Sequence, residues 1–269
     1  MNDLLQMAIL AVVQGLTEFL PVSSSGHLAL GKAILGFDAL EGLGVEVLLH
    51  GGTVVAVLLY YRRFIADVCV GLWRREAEAW RFALAVLVSM IPAVALGLLF
   101  EDELEWAATS PLFVCGALCF TGCLLLATRL WGRDTLNREV TPLRALMMGL
   151  AQAVAMLPGV SRSGSTIAMS RFLGIGTERA AAFSFLMVVP VIVGGNGLYL
   201  FRALANPDEP SPFAGMTWPM GLVGFGLSAI VGYLSVAWMV KLLGRHGFWR
   251  FGFYCLAVGL GGGAYLLLR

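Results

Sequence analysis

Apolar residues run through this chain in blocks of about twenty, parted by short clusters of charge. Six blocks, at about 45–61, 82–100, 111–131, 181–201, 219–240 and 251–268, are long enough to cross a bilayer as helices. Two further stretches, about 4–35 and 145–175, are interrupted midway by proline, glycine and hydroxyl residues. Each of these predicts two short helices joined by a polar turn. The two turns match. Val22-Ser23-Ser24-Ser25-Gly26-His27 aligns with Val160-Ser161-Arg162-Ser163-Gly164-Ser165 without a gap, at an offset of 138 in a chain of 269 residues. At that offset Ser24 pairs with Arg162 and Gln14 with Gln152, while Met156 stands where a copy of Glu18 would be.

Composition fixes the environment. Hydrophobic residues are 59% of the chain and charged residues 13%, where a soluble domain carries about a quarter charged residues. The mean hydropathy is +0.84. This reads as an all-α polytopic membrane protein, and no nucleic-acid partner is expected. Met1-Asn2-Asp3 offers no basic leader, so no cleaved signal peptide is expected. Cys115, Cys119 and Cys123 recur every fourth residue, which reads as a small-residue packing stripe rather than a metal or disulfide site.

The distribution of charge sets the topology. Arg62, Arg63, Arg74, Arg75 and Arg81 mark one connection as cytoplasmic, and Arg129, Arg133, Arg138 and Arg144 mark another. Between them Glu101, Asp102, Glu103 and Glu105 form an acidic, external connection. Lys241, Arg245 and Arg250 are cytoplasmic, which puts 202–217 outside and Arg171 to Arg179 inside. Both ends of 145–170 then lie on one face, so this stretch enters and leaves the membrane on the same side. By the repeat, 4–30 does so from the opposite face. The expected architecture is one membrane domain of six transmembrane helices plus two re-entrant helix-loop-helix segments. Its two halves, about 1–131 and 141–269, are inverted repeats whose broken segments meet near the midplane.

The paired turns carry the candidate chemistry. Gln14 and Glu18 share one helix face, and an ionisable group at that depth is a functional candidate by default. The turn from Gly159 through Ser161, Arg162, Ser163 and Gly164 to Thr166 leads into a helix, where backbone N–H groups favour an anion. Arg162 adds a planar fork suited to phosphoryl oxygens, and Ser23 and Ser25 add hydroxyls. Glu18, assisted by the Gln14 amide oxygen, could hold a hard divalent cation such as Mg²⁺ or Ca²⁺. Ser23, Ser24 or His27 could attack phosphorus or deliver water. The aligned positions of Ser24 and Arg162 favour Ser24 as nucleophile with His27 assisting. The alternative for Glu18 and Arg162 is a buried ion pair that only ties the repeats together. His50, one turn after Glu46, reads as a packing or cavity-lining residue, and His246 as a loop residue. Thr177-Glu178 reads as a helix N-cap.

Gln14-x-x-x-Glu18 with Phe19-Leu20-Pro21-Val22-Ser23-Ser24-Ser25-Gly26-His27, and Pro158-Gly159-Val160-Ser161-Arg162-Ser163-Gly164-Ser165-Thr166, resemble the undecaprenyl-diphosphate phosphatase family of the bacitracin-resistance type. The resemblance extends over essentially the whole chain, including Met90-Ile91-Pro92-Ala93 and Phe183-Ser184-Phe185-Leu186. It implies a multi-pass enzyme of the bacterial plasma (inner) membrane. Such an enzyme hydrolyses undecaprenyl diphosphate to undecaprenyl phosphate, recycles the carrier for cell-wall synthesis and confers bacitracin resistance. It implies a divalent cation, a polyprenyl diphosphate lipid as substrate among membrane lipids, and a homodimer. Carried over by motif position, Glu18 and Arg162 form the essential pair, Ser24 is a candidate nucleophile and His27 an alternative nucleophile or proton donor.

Two other readings use the same features. Ser25-Gly26-His27 and Ser161-Arg162 echo the type 2 phosphatidic-acid phosphatases, but the second histidine and aspartate that class requires are missing from Ser163 to Leu173. A polyprenyl-phosphate flippase or transporter would share the inverted repeats. The gathering of nucleophile, acid and arginine in one place favours an enzyme.

Overall fold

The computed structural model describes residues 3–35, 43–132, 136–205, 211, 213, 215–243 and 247–268. Met1, Asn2, Arg133, Arg245, His246 and residues 206–210 of the acidic-side connection lie outside the described residues. The described residues are helical throughout, apart from turns and one isolated bridge between Arg138 and Ile175. The first broken stretch forms α1 (Asp3–Thr17) and α2 (Ser24–Leu35), followed by α3 (Leu43–Tyr60), α4 (Arg62–Trp73) and α5 (Ala77–Leu99). Next come α6 (Glu101–Thr109) and α7 (Pro111–Trp131). The second broken stretch forms α8 (Pro142–Val154) and α9 (Arg162–Phe172). The chain continues through α10 (Thr177–Leu186), α11 (Val188–Ala205), α12 (Trp218–Leu243), a 3-10 turn at Phe248–Arg250, and α13 (Phe251–Leu268).

Among the described residues, five elements are long and apolar enough to cross a membrane: α5, α7, α10 with α11, α12, and α13 with its 3-10 turn. Helices α3 and α4 form a sixth if taken together, although the chain bends by 72° between them. The expected span at 45–61 thus ends at Tyr60, and the connection after it is itself helical. Arg62 donates Nη1 to the Leu59 carbonyl at 3.0 Å, satisfying one of the acceptors left at the end of α3. At the far end of α4, Arg75 adopts the left-handed conformation (φ 59°) that stops a helix. The acidic connection also contains a helix, α6. Glu101, Asp102 and Glu103 occupy its first turn, where negative charge meets the positive end of the dipole. Helix α10 is capped by Gly176 rather than by Thr177, because Gly176 holds the extended backbone that follows the bridge at Ile175.

The surface of the bundle is greasy, as a lipid-facing one is. On α5, Leu84, Leu87, Ile91, Val94 and Leu98 are all exposed along one face, whereas Ala85, Ser89 and Ala93 are buried on the opposite one. This small-residue face receives α8: a Cβ on Gly149 would lie 2.4 Å from the Ser89 carbonyl oxygen, so the two backbones touch. Helix α12 likewise buries Gly224, Ser228 and Gly232 against α1 and α3. Helices α7 and α13 pack lengthwise, and Cys115 and Cys119 meet Gly259, as a packing stripe requires. The largest core cluster gathers Phe19 and Val22 of the first turn with Ala56, Leu125, Phe185, Val236 and Cys255. Glu18, next to Phe19 in the chain, thereby borders this cluster.

Candidate active site

Helices α2 and α9 begin alike. Ser23 and Ser161 occupy equivalent N-caps, accepting hydrogen bonds from Gly26 N at 3.2 Å and Gly164 N at 3.0 Å. Each cap hydroxyl also meets the hydroxyl two residues on, Ser25 at 3.3 Å and Ser163 at 3.4 Å. The copies differ in backbone: Ser23 is left-handed (φ 68°) and Ser161 is not (φ −73°). The turns face each other directly. Ser163 Oγ donates to the Leu20 carbonyl at 3.0 Å, and a Cβ on Gly26 would lie 3.0 Å from Gly159 Cα. Gly159 is required twice over, by its φ of 96° and by the Val114 carbonyl, which would sit 2.5 Å from any Cβ there. Thr121 on α7 holds the same turn, donating to the Gly159 carbonyl and accepting from Ser161 N, both at 3.0 Å. No sequence pattern singled out Thr121; it is a span residue until the turn folds onto it.

Glu18, 4% exposed, follows the last residue of α1. Its two carboxylate oxygens are held by opposite repeats. Arg162 donates Nη2 to Oε1, and Ser24 donates Oγ to Oε2 at 2.7 Å. Ser24 and Arg162 are each the first residue of their helix, α2 and α9, and are the aligned positions of the two phrases. Gln14 adds Nε2 to Oε2 at 3.0 Å, and His50 Nε2 lies 3.7 Å from the same oxygen. The His50 Nδ1 bonds the Glu46 carbonyl at 2.8 Å. A cavity of about 220 Å³ opens over this group, lined by Glu18, Ser23, Ser24, Ser25, Ser161 and Arg162 together with His50, Gln152 and the apolar side chains of α11.

The other expected site residues lie elsewhere. His27 is not in the cavity wall; its Nδ1 bonds the Ser23 carbonyl at 2.8 Å and its Nε2 the Tyr254 hydroxyl at 2.9 Å. The Ser24 hydroxyl thus donates its hydrogen bond to Glu18, while both His27 nitrogens are engaged elsewhere. Thr166 is fully buried and bonded to Ser184 Oγ at 2.6 Å and the Arg162 carbonyl at 2.9 Å, so it braces α9 against α10. Gly159, Ser163 and Gly164 form the contact between turns rather than the cavity surface. Gln14 stands behind Glu18 and orients it. As a cation site, Glu18 and Gln14 offer one carboxylate and one buried amide oxygen, Gln14 Oε1, which has no hydrogen-bond partner among the described residues. The described residues contain no group of three His, Cys, Asp or Glu that could hold a metal. Two hard oxygens suit a cation that takes the rest of its shell from water and phosphate.

Through Met156 and Val191 the cavity adjoins an apolar groove of about 430 Å³ between α5 and α11. Its far end is closed by Glu101 and Arg202, paired at 2.6 Å.

The sequence model of the bacitracin resistance protein BacA matches residues 7–261. The chain is 41% identical to the undecaprenyl-diphosphatase of Rubrobacter xylanophilus over the whole of both chains. It is 40% identical to that of Christiangramia forsetii over 96% of each, and 38% identical to that of a Mycobacterium species over 95% of this chain and 94% of the relative.

Proposed function

This chain belongs to the family of the bacitracin resistance protein BacA, and from that premise we infer how its cavity removes the terminal phosphate of undecaprenyl diphosphate. The products are undecaprenyl phosphate and inorganic phosphate. The observation that carries the site is the Glu18 carboxylate held between Ser24 of one repeat and Arg162 of the other. The terminal phosphate takes the guanidinium of Arg162, with the N-termini of α2 and α9 supplying further positive potential. Ser24 Oγ, already donating to Glu18, attacks phosphorus as its proton passes to that carboxylate. The bond from phosphorus to the bridging oxygen breaks, and the lipid phosphate leaves. Glu18 passes that proton to the departing phosphate oxygen; a water then attacks the serine phosphate, giving its proton to Glu18, which returns it to the Ser24 oxygen as inorganic phosphate leaves. Glu18 and Gln14 would hold the divalent cation, which supplies charge neutralisation of the diphosphate.

The apolar groove beside the cavity fits a polyprenyl tail running along α11 while the diphosphate stays in the polar end. Several features support the inverted, re-entrant arrangement. Helices α1, α2, α8 and α9 hold 15, 12, 13 and 11 residues, each short of the ~20 needed to span. The residues that flank α8 and α9 are bonded to each other, Arg138 N to the Gly174 carbonyl at 2.9 Å, so that segment begins and ends at one level. The repeats also interlock reciprocally, α1 along α12 and α8 along α5. The lipid substrate supports a location in the bacterial plasma membrane, and the mass of the detergent-solubilised particle tests the expected homodimer.

Phosphate release from undecaprenyl diphosphate by protein purified in detergent tests the reading. Release without a sealed membrane, abolished by Ser24→Ala, is the expected result. A Ser24→Ala protein with wild-type turnover would remove Ser24 as nucleophile, and lipid translocation in vesicles without phosphate release would favour the transporter.

A further inference from the structure

Gln152 lies in the last turn of α8, lines the active-site cavity and is only 2% exposed. Among the described residues neither its Oε1 nor its Nε2 has a hydrogen-bond partner. Its repeat mate Gln14 is buried to the same degree, yet gives its Nε2 to Glu18 one turn on. In the second repeat Met156 occupies that place, so the Gln152 carboxamide has nothing of its own segment to bind. A buried amide with donor and acceptor both unmade is destabilising, and an apolar side chain of the same size would avoid the penalty. The cavity it faces also holds Glu18, Ser24 and Arg162. Met156, four residues on, lines both this cavity and the apolar groove, which places Gln152 on the wall beside the groove mouth.

Building on the phosphatase reading above, we propose that Gln152 is a substrate-binding residue whose Nε2 donates to the lipid-linked phosphate of the diphosphate. Arg162 and Ser24 act on the terminal phosphorus; Gln152 holds the phosphate that remains on the lipid at the threshold between polar cavity and apolar groove. A donor aimed at an anionic oxygen is among the stronger hydrogen bonds available to a neutral side chain. It also fixes which phosphate lies at Ser24.

The test is Gln152→Met, which keeps the volume and removes the donor, with Gln152→Glu beside it. Phosphate release from undecaprenyl diphosphate is followed in detergent, together with thermal unfolding and competitive inhibition by inorganic phosphate. Gln152→Met is expected to raise KM about tenfold with little change in kcat, the loss of one hydrogen bond to a charged group. Its unfolding midpoint should stay level or rise, because the fold loses an unpaired polar group. Gln152→Glu should be worse, by repulsion of the phosphate. Inhibition by inorganic phosphate should be unchanged in Gln152→Met, since it reports the terminal pocket alone. An unchanged KM would overturn the contact, and a lowered midpoint with falling kcat would make Gln152 structural. Phosphate inhibition weakened in step with KM would move the contact to the terminal phosphate and overturn the assignment. A wild-type protein that releases no phosphate would refute the phosphatase reading itself, which that control reads separately.

Discussion

Glu18 receives donors from Ser24, Gln14 and Arg162 in one buried carboxylate, and each donor can be removed separately. Arg162→Lys keeps the charge and loses the planar fork, so phosphate release should fall by about 100-fold while the unfolding midpoint stays near wild type. If the pair served only to tie the repeats together, the lysine variant would keep its turnover. Glu18→Gln removes the proton acceptor for Ser24 and leaves Arg162 without its counter-charge, so both rate and stability should fall, the latter by about 3–5 kcal/mol if the guanidinium stays buried. Phosphate release and thermal unfolding measured on the same sample check both. His27 differs in kind: with its ring bonded to the Ser23 carbonyl and Tyr254, it supports the N-cap of α2 from outside the cavity. His27→Ala should therefore retain measurable activity where Ser24→Ala falls to background. A phosphorylated imidazole trapped on His27 during turnover would reverse that order.

The elements meet through small residues, because in lipid close backbone packing must do what hydrophobic burial does in water. Gly149 is the tightest such place between α8 and α5, and α8 carries both Gln152 and the approach to the Arg162 turn. Gly149→Val should force α8 away from Ser89 at a cost of about 1–3 kcal/mol. Since the displacement reaches the cavity, activity should fall more steeply than the unfolding midpoint. An unchanged midpoint would show that α8 is not packed as described. The stripe of Gly149 against Ser89 was not apparent from the chain, because small residues are common in every span here. The helicity of α4 and α6 was equally hidden: their charges read as connections, and only the 72° bend after Tyr60 and the acidic first turn of α6 reveal short helices.

Across the whole molecule, contacts sort by the charge of the connections. Glu101 pairs with Arg202 at one end. At the other, Arg129 lies over the Trp249 ring, Arg171 over Phe248, and Arg138 beside Ile175. The first pair comes from connections read as external and the second group from connections read as cytoplasmic. Single cysteines at Glu103 and at Glu139, in a background with the five native cysteines replaced, should react oppositely with a membrane-impermeant maleimide in intact cells. Glu103→Cys should label and Glu139→Cys should not. Labelling of both from one side would refute the crossing by α7.

The sequence by itself determined the membrane character, the two matched turns and the short group of residues from which the site is drawn. Each follows from local rules: length and apolarity set the spans, and a broken, hydroxyl-rich phrase is tolerated in lipid only where protein or a cavity satisfies it. Tertiary structure decided how those residues meet. Glu18 and Arg162 stand 144 positions apart along the chain and share a hydrogen bond. The matched turns predicted that closeness; how each side chain is aimed within it depends on how α8 seats against α5 and α1 against α12, long-range packing that neither segment encodes alone. The same packing brought His50 to Glu18 and left Gln152 facing the cavity unpaired, while it turned His27 outward to Tyr254. Residue type proposes an acid, a hydroxyl or an imidazole, but the direction in which each side chain points is settled only by the helix on the other side.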